Sequence, residues 1–260
     1  EEVARIRQGL QAGEFVLHYQ PKVNMRTGAV IGVEALIRWQ HPRRGLLSPA
    51  IFVPLAEESG LIGQMGEWMM ERACRDLASW RTSMPEIADA LTISVNLTAQ
   101  EVHGDRLVPV VTDILRRTGL PADRLVLEVT ESNLLSDTDV IQERMQRLRA
   151  LGTRLAIDDF GTGYSSLGYI QRFAFDVLKI DRSFVEGLDR QTNRQIVTAV
   201  LDLARQLGVR VVAEGIEEEH QERALRELGC TFAQGYRYSR PVPEAQFRKL
   251  LVAQSIPVGS

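Results

Sequence analysis

The carboxyl-terminal half of the chain repeats one unit: an amphipathic helix, a Leu-Gly stop, a short apolar run and then a polar residue. Leu125-Val126-Leu127 ends in Glu128. A helix is expected from about Asp137, with Val140, Ile141, Met145 and Leu148 on one face. Gly152 closes it, and six residues later comes Asp158. Asp176-Val177-Leu178 ends in Lys179. The next helix, from Thr192, carries Ile196, Val200, Leu203 and Leu207. Gly208 closes it, and Glu214 follows six residues later. A last unit runs from Glu218 to Leu228, stops at Gly229, and the strand Cys230 to Ala233 delivers Gln234. Glycine supplies the left-handed cap that lets a helix reverse into a strand. Apolar runs without alternation are strands buried on both faces. Repeated βα units result, and about eight of them close into a barrel whose functional residues sit at the carboxyl ends of the strands. The competing fold, an open doubly wound sheet, usually carries GxGxxG after its first strand, and that motif is absent.

The amino-terminal half is less regular. Val3, Ile6 and Leu10 predict a short helix ended by Gly13. Phe15 to Gln20 reads as a strand closed by Pro21, and Asn24 to Gly28 as a hairpin turn. In the apolar run from Ala29 to Trp39, alternation puts Glu34, Leu36 and Arg38 on one face. Ile62, Met65, Met69, Ala73, Leu77 and Trp80 form a helical stripe that reads as core packing. A strand from Leu91 to Asn96 and a helix over Leu107 to Arg117 follow. The chain closes with an amphipathic segment from Pro243 to Leu251. With no linker and no low-complexity tract, residues 1–260 read as one domain. The start at Glu1-Glu2-Val3, without Met, suggests a domain excised from a longer multidomain protein.

The strand ends place Glu34, Asn96, Glu128, Asp158, Asp159, Lys179, Glu214 and Gln234 at one mouth. Five carboxylates in a confined cup need cations to offset their repulsion. The donors are all oxygen, which points to Mg²⁺ or Mn²⁺ and away from zinc. His18, His41, His103 and His220 have no metal-ligand spacing and read as surface or helix-end residues. The adjacent Asp158 and Asp159, followed by Phe160-Gly161-Thr162-Gly163, read either as a solvated turn or as ligands of two ions about 3.5–4 Å apart. Lys179 among carboxylates stays protonated, which makes it a poor base. It either orients and polarises a water or simply pairs with Asp181 or Glu214. Glu34 and Arg38 are a plain ion pair or hold a metal beside a phosphate. An enolase-type proton abstractor also fits acids plus a lysine, but does not call for the Asp158-Asp159 pair. The net charge of −3 disfavours general DNA or RNA binding. Cys74 and Cys230 read as core thiols of a reducing compartment.

Laid out together, these residues resemble the EAL domain family of bacterial cyclic-di-GMP phosphodiesterases. The motif stands as Glu34-Ala35-Leu36, extended to Arg38 and Trp39. Further blocks are Tyr19-Gln20-Pro21, Ser94-Val95-Asn96, Glu128-Val129-Thr130-Glu131-Ser132 and the Asp158-to-Leu167 run. Lys179-Ile180-Asp181, Ala213-Glu214-Gly215-Ile216-Glu217 and Gln234-Gly235-Tyr236 complete them. The resemblance implies an α/β fold, a modified TIM (β/α)8 barrel with one antiparallel strand. It implies hydrolysis of cyclic di-GMP to 5′-pGpG with two Mg²⁺ or Mn²⁺ ions. Glu34, Asn96, Glu128 and Asp158 would hold one ion, with Glu214 near it, and Asp159 the second. Lys179 would position the attacking water, and Glu217 and Gln234 would support the metals. Gln20, Leu36, Arg38, Gln234 and Tyr236 would face the substrate. Glu131 would anchor the Phe160-to-Ser165 loop, through which the family links dimer contacts to the metal site. A homodimer, an upstream sensory or cyclase-like domain and a cytoplasmic location are also implied, with the full-length protein free or anchored in the inner membrane. The alternative is a non-catalytic cyclic-di-GMP receptor. One departure is Ala174, where the family commonly has proline. It is expected to soften the turn before the lysine strand.

Overall fold

The computed structural model describes residues 2–134, 138–161 and 173–253. Its strands are β1 (Phe15–Asn24), β2 (Val30–His41), β3 (Gly45–Leu47), β4 (Thr92–Asn96) and β5 (Leu125–Thr130). They continue with β6 (Arg154–Phe160), β7 (Val177–Ile180), β8 (Arg210–Ala213), β9 (Phe232–Ala233) and β10 (Val242–Pro243). Eight close into a barrel in the order β1-β2-β4-β5-β6-β7-β8-β9, with β9 returning to β1. β3 and β10 extend β2 and β1 outside the ring. Every neighbouring pair from β2 to β9 is parallel. β1 alone runs the other way, against both β2 and β9. The reversal has a local cause. Asn24 to Gly28 make a tight turn, with Asn24 Oδ1 accepting from Arg26 N at 2.9 Å and Gly28 at φ 73°, and so short a connection can only join antiparallel strands.

The helices form the outer layer. Ile62–Ser83 buries Ile62, Met65, Met69, Ala73, Leu77 and Trp80, the expected core stripe. Gly208 ends its helix at φ 68°, the left-handed cap read from its Leu-Gly stop, and Gly119, after Thr118, ends another at φ 69°. Cys74 and Cys230 are free and buried, and burial pushes their thiols up to about 12 and about 11. No helix among the described residues is long and apolar enough to cross a membrane.

Several expectations shift. Pro21 does not close β1, which runs on to Asn24 with Pro21 opposite Val33. On the other side of β1 the ladder stops at Tyr19 and resumes at Val23, so the missing N–H of Pro21 breaks no bond there. Val140 is 55% exposed, while Ile141, Met145 and Leu148 are buried. The helix Gln191–Leu207 centres its buried stripe on Val197, Val200, Leu201 and Ala204. His18 is buried, with Nδ1 3.3 Å from the Pro241 carbonyl, and is not a surface residue. Ala174 sits at φ 50°, a left-handed conformation closed to proline, so the turn before β7 is strained at alanine rather than softened.

Candidate active site

Barrel register carries the site. Glu34 on β2 faces Gln20 on β1. Asn96, the last residue of β4, is level with Glu128 on β5. Asp158 stands beside Thr130, and Lys179 beside Val212. Glu214 and Gln234 follow directly on β8 and β9. Most of these residues meet because each ends, or nearly ends, a parallel strand; Glu34 does not end β2, which runs on to His41, but is the last β2 residue paired with β4.

Lys179, 1% exposed, is the centre. Its Nζ donates to Glu128 Oε2 and lies 2.7 Å from Glu214 Oε1, 3.1 Å from Asp158 Oδ2 and 3.6 Å from Glu34 Oε2. Burial alone would lower the Lys179 pKa, but Glu128, Glu214, Glu34 and Asp158 outweigh it and hold the ammonium well above its ordinary range. The amides serve Glu34. Asn96 Nδ2 donates to Oε1 at 2.7 Å and Gln234 Nε2 to Oε2 at 2.6 Å. Gln234 Nε2 also reaches Gln20 Oε1 at 2.9 Å.

The acids separate by surroundings. Burial pushes Glu128 up, but Lys179 and Lys22 overcome it and hold the carboxyl at about 2. Burial raises Glu214 to about 8, against Lys179 and with help from Asp158, Glu34 and Glu128. Asp158 rises to about 6 for the same reasons, burial first. Asp159 is raised by burial and by the neighbouring Asp181 carboxylate. Its backbone is left-handed at φ 54°, and its N–H donates to Asp158 Oδ1 at 2.9 Å. The flip turns the second aspartate outward while the first faces Lys179.

Asp158, Asp159 and Glu214 each offer an oxygen within 4.8 Å of the others, the one such metal-competent group among the described residues. The raised acids of this trio mark a site short of positive charge, and its donors are hard oxygens, so it fits a divalent cation of the magnesium class. A cavity of about 220 Å³ opens above it, lined among others by Gln20, Glu34, Leu36, Glu217, Gln234 and Tyr236. Arg38 is half-buried, donates to the Ile37 carbonyl at 2.8 Å and is not in this lining. Glu128 also lies outside it, with one oxygen on each of two lysines. Glu217 pairs with Arg182 at 3.0 Å. Glu131 is buried just after β5, and the loop it was expected to anchor lies, from Thr162 onward, outside the described residues.

Sequence reasoning passed over Lys22 and Arg182 and gave Ser94 no role of its own. Lys22 was readable, because alternation along β1 puts it on the face of Gln20. Arg182 lines the cavity, and its stem occupies the place a Cβ on Gly215 would take, with Cγ only 2.3 Å away.

The comparisons agree with this geometry. The EAL domain model matches residues 3–241. The bifunctional diguanylate cyclase/cyclic di-GMP phosphodiesterase MucR of Pseudomonas aeruginosa is 45% identical over 242 residues, covering 93% of this chain and 35% of its own. The cyclic di-GMP phosphodiesterase NbdA of the same organism is 43% identical over 249 residues, covering 95% of this chain and 31% of its own. This chain thus spans about a third of the length of the curated relatives it matches. The solved PaMucR phosphodiesterase, in complex with c-di-GMP, superposes with a TM-score of 0.90 at 43% identity, covering 95% of this chain and all of that one. The matched model, the sequence blocks and the reversed first strand have one explanation: the chain belongs to the EAL domain family.

Proposed function

We propose that this chain hydrolyses cyclic di-GMP to linear 5′-pGpG with two Mg²⁺ or Mn²⁺ ions. The observation that carries the reading is Lys179, an ammonium ringed by four carboxylates beside the Asp158, Asp159 and Glu214 trio, under an open cavity. The activity printed in the names of MucR and NbdA supports the choice of substrate. Asp158 and Glu214, with Glu34, Asn96 and Glu128, the last through a lone pair its lysine contacts leave free, would hold one ion and Asp159 the other. Bound there, the ions would supply Lewis acidity toward water and the phosphate oxygens.

The chain's own residues do the rest. Hydrolysis forms a bond from water oxygen to phosphorus and breaks the bond from phosphorus to the 3′ oxygen, which leaves with a proton. Lys179 keeps its proton, so it acts by donating hydrogen bonds, aligning the water and steadying the negative charge on the phosphoryl oxygens. Asn96 and Gln234 keep Glu34 from turning. Gln20, Leu36, Tyr236 and, from the rim, Arg38 receive the dinucleotide, and Glu217 holds Arg182 at the cavity wall. In the longer protein we place the domain on the cytoplasmic side, behind a sensory or cyclase-like segment and paired with a second copy through the loop after Asp159.

The test is incubation of the purified domain with cyclic di-GMP and either ion, followed by chromatography. Linear 5′-pGpG that vanishes with EDTA is expected. Folded protein that yields none with either ion overturns the reading, and tight binding without product would make the chain a receptor.

A further inference from the structure

Lys22 is a buried lysine. It is 5% exposed, and its Nζ donates to Ser94 Oγ at 2.6 Å and to Glu128 Oε1 at 2.5 Å. The other Glu128 oxygen takes Lys179. The order inside the barrel is therefore Ser94, Lys22, Glu128, Lys179, across β4, β1, β5 and β7. Branched apolar side chains usually fill this position in a barrel. A buried ion pair is seldom more stabilising than the apolar packing that would replace it. Stability alone is thus a poor reason for an ammonium here.

Geometry supplies a better one. Glu128 has no exposed side-chain surface and two oxygens, and a carboxylate with an ammonium on each cannot rotate without breaking one contact. Pinned by Lys22 from one side, it holds Lys179 Nζ from the other. The two remaining hydrogens of that ammonium are then directed to Glu214 and Asp158, at the wall of the cavity. We propose that Lys22 is a positioning residue for hydrolysis, fixing the direction of the Lys179 ammonium through Glu128. Lys22 is not in the cavity lining, so its effect falls on turnover and not on substrate affinity.

This rests on the proposed activity, so the wild-type assay comes first. Given turnover, Lys22→Met is expected to lower kcat on the order of 10- to 100-fold, with KM for cyclic di-GMP within about twofold. Lys22→Arg, which keeps a charged donor, regains part of the loss. Lys22→Met added to Lys179→Met costs nothing further, because both act at one ammonium. A general loosening of the fold would instead multiply the two losses. Where Lys22→Met alone does not fold, it is placed on Glu128→Gln, which leaves no unpaired carboxylate. That double variant must then turn over no slower than Glu128→Gln.

Unchanged kcat in folded Lys22→Met, or multiplied losses in either background, overturns the proposal. A crystal structure of Lys22→Met reports independently of activity. Movement of the Glu128 carboxylate and of Lys179 Nζ is expected, and both in their present places would refute the role even if the wild type proved inactive.

Discussion

The Nζ of Lys179 lies 2.7 Å from Glu214 Oε1, tying the ends of two adjacent parallel strands by a buried ion pair. The same ammonium serves three other carboxylates, so the site has a cation of its own before any metal arrives.

Replacing that cation is severe. Lys179→Met should lower turnover by about 10²–10³, the cost of losing one preorganised donor. It should also destabilise the metal-free protein by about 3–5 kcal/mol, because buried carboxylates lose their partner. Mg²⁺ should restore part of that stability. Steady-state kinetics and urea unfolding with and without Mg²⁺ check both halves.

Proton linkage gives a signed prediction. Asp158 and Glu214 titrate higher in the folded, metal-free protein than when unfolded, at about 6 and about 8. The folded state then holds protons that the unfolded state releases. Their contribution is greatest below the unfolded range near pH 4 and is lost as pH rises toward 8. Glu128, held at about 2, works oppositely, and its contribution disappears as pH falls from about 4 to 2. Divalent ions must displace the protons on Asp158 and Glu214, so metal affinity should rise between pH 6 and 8 with proton release. Melting curves across pH in EDTA, and calorimetry in buffers of different ionisation enthalpy, read these slopes.

Asp159→Asn should abolish turnover without lowering the metal-free melting temperature. Asparagine accepts the left-handed φ of 54°, and the change removes repulsion from Asp181. A matched fall in melting temperature and activity would assign Asp159 to the fold instead.

At Ala174, φ of 50° strains an L-residue with a Cβ. Ala174→Gly should therefore stabilise the protein by up to about 1 kcal/mol, and Ala174→Pro should destabilise it. Urea midpoints order the three variants.

Much of the site was legible because a parallel barrel turns sequence order into a ring. Once Glu128, Asp158, Lys179 and Glu214 were each placed at the end of an apolar run, their meeting followed. What escaped were the residues that look inward from β1 or come from the loops beyond the strands. Lys22 escaped because Pro21, one residue before it, reads as the close of the strand, and its partner Glu128 is 106 positions away. The flip at Asp159 depends on tertiary packing, since the adjacent pair itself states no backbone sign. Val140 was misplaced because helical spacing sets the face only to within a residue.

The reversed first strand has one more outcome. Phe15, where β1 begins, is level with Trp39 near the far end of β2, so the helix Glu2–Gln11 joins the barrel on the catalytic side. A tether pulled or twisted at that helix would act beside the reaction itself, with no signal having to cross the length of the barrel.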